Sequence, residues 1–122
     1  MHQPVAALIV AEPGRLRDAW RALLLAVPGI SQVTMANDAA AAVGLLELRH
    51  PTLVLVDGDL PGGAVPLLGQ IKRLQPGARC ILLACCTGHE PQPGEMHADA
   101  VLVKGFPAAR LFETVSQVLS GT

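Results

Sequence analysis

The sequence predicts a three-layer, doubly wound α/β domain around a five-stranded parallel sheet, and three observations carry the prediction. Apolar runs of strand length alternate with segments whose apolar residues recur at helical spacing. The strand-length runs, Val5 to Val10 and Leu53 to Val56 above all, are continuously apolar, as strands covered on both faces are. Turn signals, at Pro28-Gly29, Pro61-Gly62-Gly63 and Pro76-Gly77, separate one strand–helix unit from the next.

Taken in order, Val5 to Val10 reads as the first strand. Leu16, Ala19, Trp20, Leu23, Leu24 and Val27 form the apolar stripe of a first helix, which Pro28 and Gly29 stop. Ser31 to Ala36 alternates weakly as a short second strand, and Asn37 or Asp38 is placed to cap a second helix over Ala39 to Arg49. Leu53 to Val56 is the third strand, Ala64 to Leu74 the third helix and Cys80 to Ala84 the fourth strand. Residues 86 to 99, with two prolines and two glycines, leave room only for a short or irregular fourth helix. Ala100 to Val103 is the fifth strand, and Pro107 opens the last helix at its first position, with Leu111, Val115, Val118 and Leu119 on one face.

At 122 residues the chain has the size of one domain spanning residues 1 to 122, able to bury a core without disulfides or a structural metal. Its net charge is −1, with nine Lys and Arg spread along the chain, so no basic footprint for direct nucleic-acid binding is visible. Apolar stretches are too short to span a membrane, and the N-terminus lacks the basic region and cleavage site of a secretory signal, so a cytoplasmic protein is expected. Cys80, Cys85 and Cys86 are odd in number and lie in an apolar run, which suits reduced thiols.

Chemistry on a doubly wound sheet gathers beyond the carboxyl ends of the strands. Here those ends bring Ala11-Glu12, Asp57-Gly58-Asp59, Ala84-Cys85 and Lys104-Gly105 to one rim. Carboxylate oxygens suit a hard cation such as Mg²⁺, and a phosphoryl group arriving at Asp57 needs that cation and Lys104 to neutralise its oxygens. An aspartate so placed is a candidate covalent nucleophile. The plainer account of Asp57 is a strand-end acid bonding its own turn, and that of Lys104 a solvated lysine. Glu12 is equally readable as a lone charge ahead of Pro13-Gly14.

Other chemistries fare worse. Cys85, Cys86, His89 and His97 contain suitable zinc ligands, but adjacent cysteines on a strand point to opposite faces and no C-x₂-C pair exists. His2 and His50 read, like them, as surface residues, and Trp20 as a packing residue. There is no G-x-S-x-G elbow, G-x-G-x-x-G loop or Walker A pattern.

Over nearly its whole length the chain resembles the receiver domain of bacterial two-component response regulators. The resemblance rests on IVAEPGRLRDAWRALL (9 to 24), PTLVLVDGDLPGG (51 to 63), GARCILLACC (77 to 86) and ADAVLVKGFPAARLFETV (98 to 115). It implies strand order 2-1-3-4-5 and phosphorylation of Asp57 by a phosphohistidine donor on a histidine kinase or phosphotransfer protein. It also implies a Mg²⁺ site made by Glu12, Asp57 and the backbone carbonyl of Asp59, with Lys104 contacting the phosphate. The result is a signalling module acting on a downstream effector or fused output domain, not an enzyme with turnover. Homodimerisation through the last helix and fifth strand is a further implication, as is an output domain beyond SGT in a longer regulator.

Three positions depart from the family pattern. Ala11 stands where the first of two acids is usual, so weaker metal binding is expected. Ala84 stands at the switch hydroxyl and Val101 at the switch aromatic. They keep open an alternative, a pseudo-receiver that binds its partner without phosphorylation.

Overall fold

The computed structural model describes residues 4–84 and 97–120. Its strands are β1 (Val5–Val10), β2 (Ile30–Ala36), β3 (Leu53–Asp57), β4 (Arg79–Ala84) and β5 (Ala100–Val103). Its helices among the described residues are α1 (Arg15–Leu25), α2 (Ala39–Arg49), α3 (Ala64–Leu74) and α4 (Ala108–Ser120). The strands pair in parallel in the order β2-β1-β3-β4-β5, as expected. The short fourth helix expected over 86 to 99 falls mostly outside the described residues, as do Cys85, Cys86, His89 and His2.

Both faces of the sheet are covered, which is why β3 and β4 tolerate no polar residue between their ends. Leu8, Val10, Val54, Val56, Cys80 and Leu82 point to a layer made by Ala42 and Leu46 of α2 and Leu67, Leu68 and Ile71 of α3. Ala7, Ile9, Leu55, Ile81, Leu83 and Leu102 point the other way, onto Trp20 and Leu24 of α1 and Leu111, Val115 and Val118 of α4. The period of two along each strand thus feeds two separate cores. β2, one of the two edge strands, exposes Ser31 and Gln32 and buries Ile30 and Ala36 at its ends.

Several boundaries differ from the sequence reading. β2 begins at Ile30, β3 runs on to Asp57, and β4 begins at Arg79, because pairing with a neighbour continues beyond the apolar run. Leu16 is 57% exposed although it falls on the helical stripe. It lies in the first turn of α1, at the rim where β1 has already ended, so no strand is left beneath it. Pro107 precedes α4, and its carbonyl accepts the Arg110 N–H at 3.0 Å, which makes it a capping residue and not the first helical one. Of the two candidate caps for α2, Asp38 takes the role, accepting the Ala41 N–H at 2.8 Å.

Away from the rim, an ion cluster anchors β5. Asp99 accepts the Cys80 N–H at 2.7 Å and the Lys72 ammonium at 2.9 Å, with Arg79 3.8 Å away. Burial alone would raise the Asp99 pKa, but the Cys80 N–H and the Lys72 and Arg79 charges outweigh it and hold the carboxyl below its usual range. Cys80 beside it is a buried free thiol, as expected, and burial pushes its pKa up to about 11, which disfavours the reactive thiolate.

Candidate functional site

Asp57 is the last residue of β3, where the ladder ends and the chain turns. Its neighbour Gly58 still donates to the Leu83 carbonyl at 2.8 Å, so the turn begins pressed against β4. A Cβ at position 58 would come within 2.8 Å of that same oxygen, which is why glycine stands there. The turn then closes through Leu60 N–H to Asp57 O and Gly63 N–H to Leu60 O, with Gly62 and Gly63 both at a φ of 86°. On the far side, the Lys104 N–H donates to the Ala84 carbonyl at 2.8 Å, extending the β4–β5 pairing by one residue. Two rigid strand ends therefore aim Asp57 and Lys104 at each other.

They meet. The Lys104 ammonium lies 2.6 Å from Asp57 Oδ1 and 2.6 Å from Asp59 Oδ2. Asp57 Oδ1 also accepts the Asp59 N–H at 2.9 Å. The turn-bonding role that any strand-end acid can play is therefore present here, alongside the ion pair. Among the described residues no group bonds Asp57 Oδ2, so one oxygen is held and the other is left open. The Asp57 and Lys104 side chains are 16% and 17% exposed, whereas that of Asp59 is 60% exposed. Burial would lower the Lys104 pKa, but hydrogen bonds and charge from Asp57 and Asp59 outweigh it and hold the lysine above its usual range. It is fully charged at neutral pH.

Of the residues predicted for the site, the structure brings together Asp57, Lys104 and Asp59, the last through its side chain and its backbone N–H, not the carbonyl expected at a metal. Glu12 is exposed just beyond β1 and, among the described residues, makes no hydrogen bond or ion pair. His97, once a zinc candidate, is exposed with a φ of 58°, and no group of three or more His, Cys, Asp or Glu side chains among the described residues is arranged to hold a metal. The donors expected for Mg²⁺ are fewer than that: two carboxylates and a carbonyl, all hard oxygens. Oxygens of that kind suit an ion that keeps several waters.

Two rim residues escaped the sequence reading. The Trp20 ring lies beneath the Lys104 ammonium, 5.8 Å from ring centroid to nitrogen. Arg17 reaches from α1 to the end of β1, donating to the Ala11 carbonyl at 3.4 Å and to Asn37 Oδ1 at 2.5 Å. Trp20 had a signal, its place on the α1 stripe, but that stripe by itself says packing. Ala84 and Val101 lie where the sequence put them, Ala84 buried at the end of β4 and Val101 half-buried on β5.

No protein-family model matches the sequence, and no curated protein matches it significantly. Solved structures do match. A two-component response regulator of the LuxR family from Aurantimonas sp. SI85-9A1 is 25% identical with a TM-score of 0.83, over 98% of this chain and 87% of that one. A putative response regulator from Chloroflexus aurantiacus J-10-fl is 20% identical with a TM-score of 0.87, over 97% and 99%. The fold is that of a response regulator receiver domain. A CheY-like receiver domain protein from Methanospirillum hungatei JF-1 agrees, 24% identical with a TM-score of 0.82 over 97% of this chain and 95% of that one. On this receiver fold, Asp57 and Lys104 close the carboxyl rim between β3 and β5, with no hydroxyl at Ala84 between them.

Proposed function

We propose that this receiver domain is the phosphoacceptor module of a two-component phosphorelay, with Asp57 the residue that takes the phosphoryl group. The observation that supports it best is the split environment of Asp57. Oδ1 is fixed by Lys104 and the Asp59 N–H, while Oδ2 has no partner among the described residues and is the natural nucleophile. In the transfer, Oδ2 forms a bond to phosphorus as the P–N bond of a phosphohistidine breaks, and the electron pair returns to the donor imidazole. Lys104 is placed to follow the charge onto the new phosphoryl oxygens. Mg²⁺, held by Asp57, Glu12 and the Asp59 carbonyl, would supply further neutralisation of those oxygens.

In this reading the domain serves in the cytoplasm and catalyses no turnover beyond its own modification. Its partners are a histidine kinase or phosphotransfer protein on one side and a protein effector or fused output domain on the other, with homodimerisation through β5 and α4 as one route of output. A second reading draws on a specific feature. Lys104 already holds two carboxylates at 2.6 Å, so its ammonium is engaged without a phosphoryl group, as a phosphorylation-independent pseudo-receiver would require.

Intact mass after incubation with acetyl phosphate and Mg²⁺ separates the two. A single phosphoryl adduct that vanishes in Asp57→Asn supports the acceptor reading; an adduct that persists in the variant overturns the assignment to Asp57. Partner binding that survives Asp57→Asn, with no adduct on the wild type from acetyl phosphate or a histidine kinase, supports the pseudo-receiver.

A further inference from the structure

We propose that Trp20 is a positioning residue of the acceptor rim, whose indole face fixes the Lys104 ammonium against Asp57 and Asp59; this rests on the reading of that rim as the functional site. The geometry has three parts. The ammonium stands over the indole at 5.8 Å, within the range where a ring's negative face attracts a cation. Trp20 is 4% exposed and Lys104 only 17%, so the contact is largely shielded from water, where such attraction is stronger. The two carboxylates bind the ammonium at 2.6 Å each, and the ring adds an attractive surface that neither of them provides.

The contact also joins two layers. Lys104 follows β5 at the rim, whereas Trp20 belongs to α1 and packs in the core with Leu24, Leu111 and Val115. Ala84 and Val101 offer neither a hydroxyl nor an aromatic ring to sense the position of the lysine. Trp20 does touch it, so displacement of Lys104 towards a new anion is felt first in the α1–α4 layer.

The chain contains a single Trp and no Tyr, so its emission isolates this ring. The experiment compares wild type, Trp20→Phe, Trp20→Leu and Lys104→Met near neutral pH. It records the ¹H–¹⁵N signal of the Lys104 ammonium, which persists only when exchange with water is slow, together with Trp20 emission. Phe keeps a ring face and Leu does not. The ammonium signal is expected in wild type and Trp20→Phe, with exchange about three- to tenfold faster in Trp20→Leu, as loss of a partly desolvated cation–π contact implies. Lys104→Met, which keeps the stem and removes the charge, is expected to shift the emission of Trp20. Unchanged exchange in a folded Trp20→Leu overturns the proposal. Should Trp20→Leu fail to fold, emission unchanged by Lys104→Met overturns it. Absence of a phosphoryl adduct on the wild type with both effects present overturns the acceptor reading and leaves the positioning role supported.

Discussion

Replacing Asp59 by Asn tests whether the second carboxylate on Lys104 restrains the acceptor. Lys104 bridges Asp57 Oδ1 and Asp59 Oδ2, so Asp59 keeps a negative charge beside the point where an anionic phosphodonor must approach. At about 5 Å and an effective dielectric of about 20 to 80, one such charge repels each unit of charge on the donor by about 1 to 3 kcal/mol. Asp59 is 60% exposed, so the lower end applies, about 1 kcal/mol or roughly a fivefold change in rate. Asn keeps the shape of the side chain and the backbone carbonyl that the proposed Mg²⁺ site uses. The acetyl phosphate labelling rate is therefore expected to rise about fivefold at low ionic strength, with the gain shrinking as salt is added. Stability should change by less than about 1 kcal/mol, because Lys104 keeps Asp57 and the lost pair is largely exposed. A labelling rate that is unchanged or slower at low salt, in a folded variant, refutes the reasoning.

Two further perturbations probe the scaffold. Asp99→Ala strands the buried Cys80 N–H and is expected to cost about 1 to 3 kcal/mol, read by chemical denaturation. Because the folded state holds the Asp99 carboxyl below its usual range, its contribution is complete above the unfolded pKa of about 4 and is lost as pH falls through the folded value, so the variant's acid limb should be shallower than the wild type's. Gly58→Ala must push its Cβ off the Leu83 carbonyl and should cost about 1 to 3 kcal/mol, while Gly44→Ala, in open space on α2, should gain about 0.5 to 1 kcal/mol; thermal melts that rank them the other way would contradict the contact.

The sequence by itself determined the layers, the number and approximate limits of the described strands, and the rim on which Asp57 and Lys104 stand. Those features follow from local patterns: unbroken apolar runs need cover on both faces, helical spacing supplies it, and a strand that ends in Asp-Gly-Asp must place that acid at the sheet's edge. Asp57 and Lys104 are far apart in the chain, yet their place on one rim is expected because each directly follows the apolar core of a strand in one parallel sheet. Only the tertiary structure decided which Asp57 oxygen is held, that the Asp59 side chain shares the lysine, and that Glu12 pairs with none of the three. It alone decided that Trp20 is as much a neighbour of Lys104 as a core residue. The physical reason is the same in each case: periodicity fixes the face on which a side chain lies, but ångström-scale contacts between different elements depend on register, twist and rotamer, which no single segment encodes.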